Sequence, residues 1–369
     1  MSADTPVPMT VVTGFLGSGK TTLIANLLRR PEMARAAVII NEFGEIGLDH
    51  ELIESSEEDL VELSTGCLCC VMRGDLTNAV HRLMEKRDQG RPIDRIVLET
   101  TGLADPAPIV HAVIADPALR FLVRLDRVAV TVDALTAHAS LEAHEESRSQ
   151  VALADVLLVT KTDIDDGGVE SLLDRVGGIN PDAAVHFPIQ GVLDPEVIIG
   201  GRAEATRPFE TLDQTQGKPS ASPPHQGESV GENDDLTLRR SEGSSRRVLS
   251  DHHHHHAHSH GPDEITSVSL RLERPISAVA LTLFLQALAE ILGQDLLRLK
   301  GIVEVAEAPD TPAIVHGVRH VFHPMRWLDA WPGGTRDSRL VLIGRGVAEP
   351  WIRALLDTIS EEVAEASGQ

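Results

Sequence analysis

The sequence predicts an α/β domain, a mostly parallel sheet flanked by helices, followed by a small α+β domain. Three observations carry that reading. From Thr10 to about Ile199, short apolar runs alternate with helix-like stretches. These runs are apolar throughout, as strands buried on both faces are. From Ile265 the order changes to strand, helix, three strands, helix, which suits an antiparallel sheet with its helices on one face.

The first strand is "MTVVTG", Met9–Gly14, and a helix follows over Thr21–Arg30. "AAVIINEFG", "RIVLETTG", "RVAVTVDA" and "VLLVTKTD" read as further buried strands. Leu76–Lys86 and Pro106–Ala115 read as helices between them. Several strands end in Gly, Glu, Asp or Lys, and ligands of open α/β sheets sit at the carboxyl ends. Residues 203–263 change character, being rich in Gly, Pro and Ser and nearly free of large apolar side chains. Such a stretch cannot repay its ordering entropy and is expected to be a disordered linker. The domains expected are therefore 1–202, the linker 203–263 and 264–369. In the last, "ITSVSLRLE" alternates as a strand and "SAVALTLFLQALAEILG" has helical spacing, closing on Gly293. "LLRLKGIVEVAE", "PAIVHGVRHVFH" and "SRLVLIGRG" are three more strands, and "EPWIRALLDTISEEVAEA" is the last helix.

A chain of 369 residues with 42% hydrophobic content can build two cores, from Leu, Val, Ile and Ala, because aromatics are 3% and tyrosine is absent. The net charge of −23 argues against a nucleic-acid or anionic-membrane surface. The N-terminal stretch lacks a basic region followed by an apolar core, and no apolar run is long enough to span a bilayer. With only three cysteines, a disulfide framework is not expected, and the chain reads as cytoplasmic.

"GFLGSGKT" fits G-x-x-x-x-G-K-[ST] between a strand and a helix. Gly14, Gly17 and Gly19 let the backbone curl so that its N–H groups face one anion, and the helix N-terminus adds partial positive charge. Ser18 and Thr22 complete this phosphate loop. Lys20 is expected to reach the β- and γ-phosphates, and the Thr21 hydroxyl to ligate Mg2+. The first domain is thus expected to be a P-loop NTPase fold. Glu99 ends a later strand, where an acid can hold Mg2+ through water, and the Gly102 N–H can sense a γ-phosphate. In "VTKTD", the Asp163 carboxylate can accept from N1–H and the exocyclic amine of guanine, a donor pair adenine lacks. The Lys161 stem can pack over the base. GTP is the expected nucleotide.

Cys67, Cys69 and Cys70 form C-x-C-C, with Gly66 helping to make the turn. Thiolates this close suit Zn2+ and compete poorly for Mg2+. A redox pair would be strained, and burial alone would scatter the cysteines through the core. The cluster lies between the phosphate loop and Glu99, where nucleotide hydrolases keep their switches. If GTP changes its metal affinity, metal changes GTP affinity by the same factor. His252, His253, His254, His255, His256, His258 and His260 put seven imidazoles in nine residues, read as a metal-loading arm on a flexible tether. His111, His138, His144, His316, His320 and His323 read as ordinary packed or surface residues, although strand spacing could bring His316 and His320 to one face.

Taken in order, "GFLGSGKTTL", "NEFGEIGLD", "GCLCC", "ETTGLADPAPI" and "TKTD" resemble the CobW-related GTPases over the whole chain. The resemblance implies GTP hydrolysis coupled to handling of a transition metal. It makes Cys67, Cys69 and Cys70 the metal thiolates and adds Glu42 of "NEFGE" as a further ligand. The acid at Asp105 resembles the zinc-associated branch more than the cobalamin branch. Thr160 departs from the commoner asparagine of the guanine motif. No water-positioning glutamine is evident, so intrinsic hydrolysis is expected to be slow. The leading reading is a GTPase metallochaperone that passes zinc to a client metalloprotein, with no nucleic acid or membrane partner and the oligomeric state open. The alternatives are a cobalt chaperone (Co2+ for cobalamin synthesis or nitrile hydratase), a metal buffer with secondary GTPase activity, and a P-loop kinase of a small metabolite, which "TKTD" disfavours.

Overall fold

The computed structural model describes residues 5–41, 60–62, 71–164, 167–199, 264–332 and 336–367. Seven parallel strands form the first sheet: β1 (Val7–Gly14), β2 (Ala36–Asn41), β3 (Leu60–Glu62), β4 (Arg95–Thr100), β5 (Val123–Asp133), β6 (Val156–Thr160) and β7 (Ala184–His186). Their order is β3-β2-β4-β1-β5-β6-β7, so β1 is central. The helices are α1 (Lys20–Leu28), α2 (Val71–Asp88), α3 (Ala107–Ala115), α4 (Ala137–Ala143), α5 (Glu145–Leu153), α6 (Val169–Ile179) and the short α7 (Glu196–Ile199).

The continuous apolar runs follow from burial on both faces. In β2, Ala37 and Ile39 join a core with Leu76, Val80 and Leu83 of α2. Ala36, Val38 and Ile40 join a second core with Leu23, Ile24 and Leu27 of α1 and Ile198 of α7. The expected helices on both faces are present, and a doubly covered parallel sheet removes apolar surface from water on each side.

The second sheet contains β8 (Ile265–Arg271), β9 (Leu296–Val305), β10 (Ala308–Val318), β11 (Val321–Phe322), β12 (Arg326–Trp327) and β13 (Arg339–Arg345). It is antiparallel, ordered β11-β10-β9-β13-β8, with β12 paired to β10. Helices α8 (Ala278–Leu292) and α9 (Glu349–Ser367) cover one face. Ser277 caps α8, its hydroxyl accepting from the Ala280 N–H at 3.1 Å. The strand β13 shows how both faces are used. Leu340 and Leu342 face the α8–α9 side, whereas Val341 and Ile343 join the core that holds Leu153 and Val176 of the first domain.

The structure revises some boundaries. The strand expected over 312–323 is a hairpin, because Arg319 takes a positive φ of 53° and turns the chain between β10 and β11. The strand β5 starts at Val123, four residues before the expected Arg127. Its charged segment is accommodated because Arg124 pairs with Asp126 at 3.1 Å and Arg127 donates to the Val197 carbonyl of α7. The end of the strand expected over 36–44 and the region 203–263 lie outside the described residues.

Candidate nucleotide site

The central strand β1 runs into the phosphate loop, and α1 leaves it. Gly14 has φ 144° and no room for a side chain: a Cβ there would lie 2.2 Å from Thr131 Oγ1 and 2.4 Å from the Thr131 carbonyl oxygen. The loop is pinned from inside. The Ser18 hydroxyl lies 2.6 Å from both the Phe15 carbonyl oxygen and Thr131 Oγ1. Gly17 and Gly19 both have positive φ, and α1 begins immediately after Gly19. The Lys20 ammonium donates to the carbonyls of Gly14 at 3.0 Å and Phe15 at 3.3 Å, which holds a buried cation inside the curl of the loop.

On the neighbouring strand β4, Glu99 is 2% exposed and accepts from the Thr21 hydroxyl at 2.9 Å. Gly102 lies beside the loop, since a Cβ there would sit 2.7 Å from the Leu16 nitrogen. Thus Lys20, Thr21, Glu99 and Gly102, separate in sequence, meet at the carboxyl ends of β1 and β4. Thr22 is exposed on the first turn of α1, close to the loop at Gly191.

The guanine-motif segment follows β6. The Thr160 hydroxyl donates to the Ser18 carbonyl at 2.8 Å, tying that segment to the phosphate loop. Lys161 takes φ 60°, and its ammonium pairs with Asp133 at 2.7 Å. Asp133 is fixed in turn by the Leu135 N–H at 2.9 Å and the Thr136 hydroxyl at 3.0 Å. Asp163 is exposed.

A family model described as CobW/HypB/UreG, nucleotide-binding domain, matches residues 8–187. Another, Cobalamin synthesis protein cobW C-terminal domain, matches residues 265–360. The chain is 30% identical over 373 residues to the zinc chaperone CobW of a Sinorhizobium species, an alignment covering 96% of this chain and 97% of that one. The chain belongs to the CobW family.

Other CobW-family similarities are more partial in sequence. The zinc chaperone YjiA of Escherichia coli K12 is 38% identical over 190 residues, 51% of this chain and 59% of that protein. The zinc-regulated GTPase metalloprotein activator 1 of Schizosaccharomyces pombe is 37% identical over 166 residues, 43% of this chain and 40% of that protein. The chain thus aligns with about half the length of these two curated relatives. The crystal structure of Zn(II)-bound YjiA GTPase has the same fold, with a TM-score of 0.64 at 24% identity over 96% of this chain and 99% of that one.

Glu42, Cys67, Cys69 and Cys70 lie outside the described residues, as do His252, His253, His254, His255, His256, His258 and His260. Among the described residues, no three His, Cys, Asp or Glu side chains are grouped so as to hold a metal ion. His316 and His320 each lie against another histidine ring. The His316 ring is tilted against His323, with centroids 4.8 Å apart, and His320 meets His111 of α3 at 5.2 Å. Among the described residues, no helix is long and apolar enough to cross a membrane.

Several supporting residues in this CobW-family chain carry no motif. Asp133, Gln150, Arg319 and the group Asp155, Arg298 and Lys300 are separated in sequence from whatever they hold. The Gln150 amide donates to the carbonyls of Gly102 and Ala104, each at 3.1 Å. Asp155 accepts from the Val128 N–H at 2.8 Å and pairs with Arg298 and, at 2.8 Å, with Lys300 of β9. Burial pushes the Lys300 ammonium below its ordinary pKa, and adjacent Arg298 adds to this, while Asp155 opposes both.

Proposed function

We propose that the chain is a GTP-hydrolysing metallochaperone that takes zinc at Cys67, Cys69 and Cys70, with Glu42, and passes it to a client metalloprotein. The observation that carries the nucleotide half of this reading is the Thr21–Glu99 contact at 2.9 Å beside a buried Lys20. A hydroxyl and a buried carboxylate are hard oxygen donors, which fits Mg2+ rather than a soft metal. Thr21 and Glu99 would hold Mg2+, which when bound neutralises charge on the β- and γ-phosphate oxygens.

The chain's own groups then act in defined ways. The loop amides around Gly14, Gly17, Ser18 and Gly19 bind phosphate oxygens, and Lys20 adds a positive charge. The Gly102 N–H senses the γ-phosphate in this reading, which the close approach of Gly102 to Leu16 of the loop supports. Asp163 and the Lys161 stem receive guanine, with Lys161 oriented by Asp133. Zinc is cargo in this scheme. Its ligands follow the phosphate loop in sequence and precede Glu99, so one segment of chain serves both ligands. The relatives, which are zinc chaperones and a zinc-regulated GTPase metalloprotein activator, support zinc over cobalt.

The test measures zinc affinity of the full chain with a non-hydrolysable GTP analogue, with GDP and without nucleotide, and GTP turnover across buffered Zn2+ and Co2+. The reading expects tight zinc binding that differs between nucleotide states, with free phosphate as the product. Equal zinc affinity in all three states would sink the coupling. Turnover that responds only to Co2+ would replace zinc with cobalt.

A further inference from the structure

The segment Gly102–Pro106 is held from three directions. Gly102 abuts the Leu16 backbone of the phosphate loop. Gln150 of α5, 1% exposed, donates to the carbonyls of Gly102 and Ala104. Asp105 uses its two oxygens separately. Oδ1 accepts from the Ala107 N–H at 3.0 Å and caps the start of α3, while Oδ2 pairs with Arg319 from the β10–β11 turn. Arg319 is itself set by its positive φ and by the Gln294 side-chain oxygen at 3.1 Å.

Helix α5 has the same double attachment. At its start, the His144 ring lies 4.6 Å from Phe15 of the phosphate loop, and Glu145 pairs with Arg345 of β13. At its end, the Leu153 carbonyl accepts from Arg298, which also pairs with Asp155. One rigid helix therefore touches the phosphate loop, the segment after Glu99 and two strands of the C-terminal sheet. Packed elements of this kind shift between discrete arrangements rather than deform smoothly.

We propose that α5 and the Asp105–Arg319 pair form a relay through which the C-terminal sheet reads the nucleotide state, with Arg319 as the positioning residue at its receiving end. This rests on the GTPase reading, and adds to it the route and the receiver. When the segment Gly102–Pro106 follows the γ-phosphate, the Asp105 carboxylate moves with it, and the β10–β11 hairpin is pulled or released through Arg319. The opposite face of that sheet, under α8 and α9, is not required for this step.

The test is backbone hydrogen–deuterium exchange of residues 316–323 in the full chain, loaded with Mg2+ and either GDP or a non-hydrolysable GTP analogue. Nucleotide occupancy is measured on the same samples. The relay expects a several-fold difference in exchange between the two states in the wild-type chain. Arg319→Ala should erase it. Asp105→Asn should erase it too, although the asparagine oxygen still accepts from the Ala107 N–H and keeps the cap. The charge-swapped double variant, Asp105→Arg with Arg319→Asp, should restore part of it, which a merely structural role would not do. Equal exchange in the wild-type chain with both nucleotides bound overturns the relay and leaves the GTPase reading standing. A difference that persists in both single variants also overturns it. Failure to bind either nucleotide overturns the GTPase reading, and the relay with it.

Discussion

The Thr21 hydroxyl donates to the Glu99 carboxylate at 2.9 Å, joining the first turn of α1 to the end of β4. Glu99→Gln keeps the shape and a hydrogen-bond acceptor but removes the charge. A divalent ion contributes several kcal/mol to phosphoryl transfer, so losing a charged partner should cut GTP turnover by about 100-fold or more. GDP affinity should fall much less, because the loop amides that hold its phosphates are untouched. Steady-state turnover and GDP titration, run across Mg2+ concentrations, check both statements.

Lys20→Ala removes the cation that the Gly14 and Phe15 carbonyls hold inside the phosphate loop. Nucleotide binding should disappear, while zinc uptake by the thiols remains measurable. Retained GTP affinity, read by equilibrium titration, would show that the loop does not take the phosphates.

Thr160→Val deletes the 2.8 Å hydrogen bond to the Ser18 carbonyl at nearly constant volume. It should cost about 1–3 kcal/mol of stability, because a buried acceptor loses its donor. Nucleotide affinity should fall with it, since the guanine-motif segment is no longer tied to the phosphate loop. Thr160→Ser should stay near wild type. Chemical denaturation and nucleotide titration of both variants separate hydroxyl loss from shape change. Asp163→Asn should leave stability alone and reduce the ratio of GTP to ATP affinity, which competition binding reads directly.

Asp155→Ala strands Arg298 and Lys300 in a region that burial already makes hostile to charge. Removing one partner of a buried charge group costs about 3–5 kcal/mol, so the variant should unfold at markedly lower denaturant. Lys300→Met should be far milder, because Arg298 still pairs with Asp155.

Desolvation by burial, and secondarily the charge of Arg127, lower the pKa of His186 from its ordinary 6.5. The unfolded chain therefore binds a proton there that the folded chain refuses. Stability contributed by this site is present above pH 6.5 and declines as the pH falls below it. Acidification from pH 7 to pH 5 should destabilise the wild-type chain more than His186→Gln, in denaturation curves taken across that range.

Much of the fold was legible because burial leaves a local imprint. The runs "TVVTG", "RIVLET" and "VLLVT" are apolar on both faces, and the phosphate motif lies between its strand and its helix. The hairpin at Arg319 was not legible, since a positive φ on arginine has no local signature and is imposed by contacts to Gln294 and Asp105. Helices α4 and α5 are short and lie in a stretch of Ala, Ser, Glu and His whose pattern is weak. For the candidate site, the groups expected to touch the nucleotide are written in motifs, because the ligand constrains their spacing. Gln150 and Asp133 are not, because they act on backbone or on another side chain, and any loop length that delivers them will do. The three cysteines and Glu42 stand outside the described residues, and their reading rests on the sequence.

The Asp155–Arg298 pair spans 143 residues of chain. Proteins are made from the N-terminus at about 5–20 residues per second, so Asp155 leaves the ribosome roughly 7–30 s ahead of its partner. Early in that interval, once Asp163 has followed, every motif proposed to meet GTP exists, while the strand that closes over Asp155 does not. The nascent chain thus acquires the means to bind nucleotide before it acquires the sheet against which α5 is braced. β9 supplies the first of these braces and Arg345 of β13, made later still, the next, so the life of the newborn protein divides into an unbraced stage and a finished one.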